Sequence, residues 1–372
     1  MSLYMAFIMK VTRACPLRCS YCNDWRADDS KMPFSVLAHL IVQALRHPTL
    51  KDAEFIWHGG EPLLLGRSFF KKALYLQSKA RRSGQKIVNV IQSNGLLLDE
   101  LWIDFLHGHH ISIGLSLDGP RELQDNQRAT VMGRGSFDDT MRALHLLRKR
   151  QIDCAVSVVV TKRTLEYGPE KMLDFLLENS IKTVAFLRQE PKRSDTGESD
   201  FLSGIRNSDY SLYMQKLFDN WYQRNDSNMR IRNFDNIFSG IIADMPFLCT
   251  NCGDCIGQFF GVNLNGDIFH CDRYATDPDS RFKLGNILTD SFDEIVQGKA
   301  LQSLKNWNKD RVLKCRNCSW YSICHGGCPC RLDPPLTSID TNQCEEGKLI
   351  EHVCKRLSTD VAALGNSGAS LS

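Results

Sequence analysis

The stretch RACPLRCSYCND, residues 13–24, sets Cys15, Cys19 and Cys22 directly after a short apolar run, and no fourth cysteine stands nearby. A closed structural zinc site or a fully cysteine-bound iron–sulfur cluster takes four ligands, so three thiolates on one tight loop leave a coordination position open. The run before the loop, YMAFIMKV, is the first of six apolar, β-rich segments; AEFIWH, KIVNVIQ, ISIGLSL, CAVSVVV and TVAFLR follow. Between them FSVLAHLIVQAL, FFKKALYLQSKARR, LWIDFLHG, SFDDTMRALHLLRKR and EKMLDFLLENS repeat apolar residues at three- and four-residue steps, as helices with one inward face do. This alternation predicts an α/β fold with a parallel sheet, and six units rather than eight predict a partial (β/α)6 barrel. Active sites of such barrels lie at the C-terminal strand ends. The cysteine loop, HGGEP, QSNG, SLDG and RQEP each follow an apolar strand and so converge on one rim.

At 372 residues and 42% hydrophobic content, the chain is long enough for two domains. A net charge of only +3, with both signs intermixed, gives no reason to expect nucleic acid as a partner. The opening MSLYMAFIMK is too short for a signal peptide, and no apolar run approaches the ~20 residues of a membrane span, so a cytoplasmic protein without a membrane partner is expected. Fifteen cysteines in a long chain without an export signal read as metal ligands rather than disulfides. Cys154 stands alone, and the eleven beyond the first cluster and Cys154 fall between Cys249 and Cys354. After KRSDTGESD, a polar loop, the amphipathic stretches YSLYMQKLFDNWY and NFDNIFSGIIADM lead to this region. The boundary is placed near residue 235, giving domains 1–235 and 236–360 and a small, polar, flexible tail, 361–372.

The spacing C-x3-C-x2-C on the loop after the first barrel strand resembles that of the radical S-adenosylmethionine enzymes. The resemblance implies that Cys15, Cys19 and Cys22 hold a [4Fe–4S] cluster whose fourth iron binds the amino and carboxylate groups of S-adenosylmethionine. It implies that WHGGEP receives the methionine ammonium, which assigns Gly59, Gly60, Glu61 and Pro62 to the cosubstrate; paired glycines also let main-chain carbonyls approach a ligand. Ser116 and Arg128 match positions near its carboxylate, for which Arg offers a fork of donors. Gln92, Asn94 and Asp118 read equally well as rim structure.

The C-terminal order, C249-x5-C255, then GDIFHC, then C315-x2-C318-x5-C324-x3-C328 and Cys344, resembles the SPASM domain with its two auxiliary [4Fe–4S] clusters. The agreement runs over nearly the whole chain with the anaerobic sulfatase-maturating enzymes and related radical peptide maturases. On that pattern Cys249, Cys255, Cys271 and Cys328 hold the first auxiliary cluster, and Cys315, Cys318, Cys324 and Cys344 the second, for three clusters in all. Cys154, Cys252, Cys330 and Cys354 are left over, with Cys252 a candidate for the place of Cys249 or Cys255. Interleaved ligands of this kind make cluster binding part of the folding energy. Asp272, next to Cys271, matches the residue proposed in the sulfatase maturases to take the substrate's proton.

The resemblance implies an oxidoreductase. A 5′-deoxyadenosyl radical removes a side-chain hydrogen from a ribosomally made peptide or protein; the substrate then gives an electron to the first auxiliary cluster and a proton to a base. Two outcomes fit: a cross-link or related change in a precursor peptide, and formylglycine formation on a sulfatase Cys or Ser. Asn23, where an aromatic is usual, and His58, where Gln is usual, favour the first. Against many cross-linking members, no leader-binding domain precedes a cluster loop that begins fourteen residues in. The implied partners are the peptide or protein substrate and an external electron donor such as flavodoxin or ferredoxin, and a monomer is expected. A non-catalytic zinc-binding interaction module, supported by Cys315-x2-Cys318, is the reading from another class. His107, His109 and His110 fall at a helix-to-strand turn away from the rim and read as solvated.

Overall fold

The computed structural model describes residues 3–25, 30–193, 199–200, 203–253, 255–275, 282–329 and 344–366. All six expected strands are present: β1 (Leu3–Thr12), β2 (Leu50–Gly59), β3 (Lys86–Ser93), β4 (Ser112–Ser116), β5 (Cys154–Val160) and β6 (Thr183–Arg188). They pair in chain order, each parallel to the next. The five expected helices are α1 (Phe34–Arg46), α2 (Gly66–Ala80), α3 (Glu100–Gly108), α5 (Phe137–Lys149) and α7 (Pro169–Glu178). Two short helices were not foreseen, α4 (Arg121–Gln127) and α6 (Lys162–Tyr167). Their sequences, RELQDNQ and KRTLEY, are too polar to show a helical stripe, and α6 starts where the Thr161 hydroxyl accepts from the Thr164 amide.

The polar segment after β6 is not wholly loop: β7 (Lys192–Arg193) and β8 (Ser199–Asp200) pair antiparallel, with 194–198 outside the described residues. The amphipathic stretches form α8 (Asn207–Arg224) and α9 (Arg232–Ala243), separated by β9 (Arg230–Ile231), which lies parallel to β6. Residue 235 lies in α9. Beyond it come β10 (Phe259–Val262), β11 (Asp267–His270), β12 (Lys283–Asn286), α10 (Phe292–Gln297), α11 (Lys299–Leu313), α12 (Tyr321–Cys324) and α13 (Glu345–Asn366). Of the expected tail, 361–366 continue α13 and 367–372 lie outside the described residues, as does Cys330.

The expectation of a parallel sheet needs one correction. The sheet is mixed and has ten strands, in the order β12-β11-β10-β1-β2-β3-β4-β5-β6-β9, because the cysteine-rich region adds to it. β10 runs parallel to β1 from Ala6↔Phe259 to Met9↔Val262, and β11 and β12 follow antiparallel. The physical reason is written in β1, where Met5 through Val11 are all buried. A strand covered on both faces and paired on both edges reads as one continuous apolar run. β3 and β5 instead alternate buried and half-buried residues, so one of their faces packs on helices and the other fronts the open barrel interior. Val90 and Gln92 of β3, Gly114 of β4, Ala155 and Ser157 of β5 and Thr183 of β6 line a cavity of about 780 Å³ there.

Phe7 is the keystone of the seam between the two regions. Its ring stacks on Phe55 at 5.3 Å on the barrel side and on Phe260 at 5.7 Å on the other, with Phe292 tilted against it at 5.7 Å. Phe7→Ala is therefore expected to cost about 3–5 kcal/mol of stability. A lower urea midpoint of the iron-loaded protein, with loss of both regions in a single transition, is the expected result.

Candidate active site

The loop leaving β1 is held by backbone contacts on two sides. Gly60 N donates to Thr12 O at 2.7 Å and Glu61 N to Ala14 O at 2.8 Å, which lays the turn after β2 directly on the cysteine loop. A Cβ on Gly60 would sit 2.0 Å from the Ala14 carbonyl oxygen, and one on Gly59, whose φ is +113°, 2.5 Å from that of Thr12. Only glycines allow the two main chains this close. On the other side Arg18 N donates to Ala129 O, Ser20 N to Gln127 O and Val131 N to Pro16 O.

Within the loop, Leu17 N and the Asn94 amide approach the Cys15 sulfur at 3.4 and 3.6 Å, and the amides of Asp24 and Trp25 approach that of Cys22 at 3.4 and 3.3 Å. Burial pushes the Cys15 thiol up to about 12, with Cys19 and Cys22 near enough to add to the rise. Burial also raises Cys19, to about 11, against the pull of the Arg128 guanidinium.

Glu61 is fully buried. Its carboxylate accepts from Leu63 N, Ser93 Oγ and Asn94 N at 2.9–3.1 Å, tying the turn to the end of β3. Burial outweighs those donors and raises its pKa to about 7. Pro62 opens the short 3-10 turn Pro62–Leu65 that follows. Ser116 accepts from Gln92 Nε2 at 3.0 Å at the rim end of β4. Arg128 is committed to Asp118, with Nε and Nη2 at 2.9 and 3.1 Å from its two oxygens, while Tyr21 Oη and Val159 N donate to the same carboxylate. The sequence left Asp118 undecided; the structure makes it the buried anchor of Arg128 and Tyr21.

Apart from Cys154 and Cys354, the remaining described cysteines gather in two groups. Around Cys249, burial and the neighbouring thiolates of Cys271 and Cys328 push the thiol up to about 12. Cys255 is raised in the same way, with Cys252 also beside it. Cys315, Cys318, Cys324 and Cys344 form the other group: burial lifts Cys324 to about 12, helped by Cys344 and Cys315, and Cys344 and Cys315 also rise. Clustered thiols that oppose one another's ionisation suit a cationic iron core, which would relieve the repulsion and fix them as thiolates. Among the described residues, no three His, Cys, Asp or Glu side chains converge tightly enough for a single metal ion. Cys154 lies apart on β5, and His109 and His110 lie exposed past the end of α3.

Sequence reasoning missed the polar centre between the groups. Lys10, in the apolar run of β1, is buried, with Nζ 2.7 Å from Asp24 Oδ2, 3.3 Å from His58 Nδ1 and 3.7 Å from Asp272 Oδ2. Burial alone would raise Asp24, but the Lys10 ammonium and His58 outweigh it and hold the carboxyl well below the usual range. Asp272 is lowered too, by Lys10, His58 and Arg273 against burial. A lone cation inside an apolar strand was the available signal.

Comparison with known proteins identifies the two regions. The radical SAM superfamily model matches residues 9–176, and the iron–sulfur cluster-binding SPASM domain matches residues 249–319. This chain is a radical SAM enzyme with a SPASM domain. The zinc-module reading falls with that finding. A cysteine-type anaerobic sulfatase-maturating enzyme of Clostridium perfringens is 29% identical over 90% of this radical SAM enzyme and 91% of its own length. A serine-type counterpart from Bacteroides thetaiotaomicron is 27% identical over 87% and 81%. The solved structure of native anSMEcpe with bound AdoMet and Kp18Cys peptide superposes with a TM-score of 0.83 at 26% identity, covering 98% of this chain and 100% of that one. Streptococcus suis SuiB shares the fold, with a TM-score of 0.63 at 18% identity over 92% and 77%. Among the described residues no helix is long and apolar enough to cross a membrane.

Gly60→Ala is expected to pry the turn from the cysteine loop. S-adenosylmethionine binding should weaken by at least about tenfold, or about 1.4 kcal/mol, with iron lost from one cluster only. Equilibrium binding and iron analysis on anaerobically prepared protein provide the check.

Proposed function

We propose that this enzyme is a peptide or protein maturase that oxidises a Cys or Ser side chain to formylglycine, as the similar sulfatase-maturating enzymes suggest. The observation that carries the reading is the meeting at one barrel mouth of the three-cysteine loop, the Gly59–Gly60 turn and Asp272, which the C-terminal region delivers to within 3.7 Å of Lys10. Cys15, Cys19 and Cys22 hold one [4Fe–4S] cluster; Cys249, Cys255, Cys271 and Cys328 hold a second, and Cys315, Cys318, Cys324 and Cys344 a third. Bound together, these clusters and S-adenosylmethionine supply hydrogen abstraction and a route for one electron. The chain's own residues do the rest. Gly59, Gly60, Glu61, Pro62 and Ser116 shape the cosubstrate seat, and Arg128 braces it through Asp118. Asp272, held ionised and about one-third exposed, takes the proton released as the substrate is oxidised. The barrel interior and the loops around it keep the reacting carbon in place and water out. An external donor such as flavodoxin or ferredoxin supplies the electrons, and the enzyme acts as a monomer. Its barrel spans 1–235 and its SPASM region 236–360.

A second reading, cross-linking of a precursor peptide, is favoured by Asn23 and His58. The Asn23 amide donates to Pro191 O at 3.1 Å, and His58 Nδ1 lies 3.3 Å from both Lys10 Nζ and Asp24 Oδ2, so neither position presents the aromatic or amide side chain usual in sulfatase maturation. Incubating the anaerobic enzyme with a sulfatase-motif peptide separates the readings: an aldehyde product supports the first, and its absence with continued deoxyadenosine formation supports the second.

Replacing Cys15, Cys19 and Cys22 together with Ala is expected to abolish S-adenosylmethionine cleavage while the other two clusters remain. About eight of about twelve irons per chain should be retained. Deoxyadenosine production by the triple variant would refute the ligand assignment. Asp272→Asn should leave deoxyadenosine formation in place while product falls by about 10²–10⁴-fold, measured in one reaction at matched iron content. Equal product yields would make Asp272 a bystander.

A further inference from the structure

Lys10 is the only charged residue of β1 and is 2% exposed. Burying an ammonium is costly unless it is paired, and a well-packed apolar residue in its place is often neutral or stabilising. A buried lysine here therefore does something other than hold the strand. Its three partners come from three separate segments, each next to a piece of the site: Asp24 two residues after Cys22, His58 immediately before Gly59, and Asp272 immediately after Cys271.

The three contacts are not alike. Lys10, Asp24 and His58 form a closed triangle with edges of 2.7, 3.3 and 3.3 Å, and Arg13 Nη1 braces Asp24 through its carbonyl oxygen at 3.2 Å. Asp272 stands 3.7 Å away, in ion-pair range but beyond a hydrogen bond, and its side chain is 34% exposed. The ammonium thus attracts this carboxylate without capping it. The neighbouring Arg273 is gripped from the opposite side: it pairs with Glu190, which Arg188 at the end of β6 holds at 2.8 Å. β1 and β6 are not paired with each other, so the Asp272–Arg273 dipeptide spans the first and sixth barrel strands with a charge at either hand. Gly261 makes room for it, since a Cβ there would lie 2.7 Å from Cys271 O and 2.8 Å from the Asp272 Cα.

We infer that Lys10 is a positioning residue: fixed by Asp24 and His58, its ammonium sets where the Asp272 carboxylate stands at the barrel mouth, and so joins the SPASM region to the radical site. This rests on the reading in which Asp272 takes the substrate's proton, and Lys10 acts only through Asp272. Lys10→Met keeps length and removes charge. Deoxyadenosine formation should persist while product per deoxyadenosine falls by about 10- to 100-fold, the scale of a misplaced reacting group. Lys10→Arg, which restores a cation, should recover part of that ratio. In an Asp272→Asn background Lys10→Met should change nothing further.

The outcomes separate the two claims. An unchanged ratio in Asp272→Asn sinks the Asp272 reading. A reduced ratio there, with Lys10→Met either harmless or equally damaging in both backgrounds, overturns the positioning role and leaves Asp272 standing. If an unpaired Asp24 blocks assembly, Lys10→Met with Asp24→Asn removes both charges and is read the same way. A second measurement needs no turnover. Thermal midpoints of wild type, Lys10→Met, Asp272→Asn and the double variant should be non-additive, and strict additivity overturns the coupling.

Discussion

β1 is hydrogen-bonded along both edges, to β2 on one side and β10 on the other, and nearly everything that matters hangs from it. Its outgoing end releases the three-cysteine loop, and its register with β2 sets the Gly59–Gly60 turn against that loop. Its register with β10 sets β11 antiparallel alongside, and the chain turns back after β11 so that Asp272 lies over Gly261 and within reach of Lys10. One strand thus aligns motifs that lie some 250 residues apart, as the Arg13 to Asn263 contact across the same seam illustrates. Such alignment needs a strand that cannot slip, because a one-residue shift would turn Phe7 out of its stack and bring its neighbours in.

The cysteine groups add a second constraint. In the two C-terminal groups Cys249, Cys255, Cys315, Cys324 and Cys344 are raised by desolvation and by neighbouring sulfurs, so ionising any of them without a cation is unfavourable. Binding a metal through thiolates releases their protons, which makes loading of such groups pH-dependent. Arg311 completes the second loop system by donating to the carbonyls of Gly326 and Gly327.

The barrel was legible because its strands and helices announce themselves by period, and the rim because polar motifs follow each apolar run. β10, β11 and β12 were not. FFGV, DIFH and KLGN are four-residue strands that exist by virtue of the edge β1 offers. The cysteine sets could be named only through resemblance, since spacing alone leaves Cys252 as eligible as its neighbours, and the structure keeps it beside Cys255. Lys10 was visible as a cation in the wrong place, but its partners were not: Asp24 reads as one more loop acid, and the Glu190–Arg273 pair joins residues 83 apart in sequence. Arg128 was legible as a fork of donors, but its partner was not: nothing in the sequence signals that Nε and Nη2 would close on Asp118, ten residues before it.

The shared strand also has a history in synthesis. As the chain emerges from the ribosome, β1 through β6 are complete well before β10 exists, and during that interval the free edge of β1 is a bare, apolar template for any passing strand. The molecule therefore has a window of vulnerability set by the distance between β6 and β10. A truncated product ending inside that window would be prone to stack edge to edge rather than persist as a smaller, separate barrel.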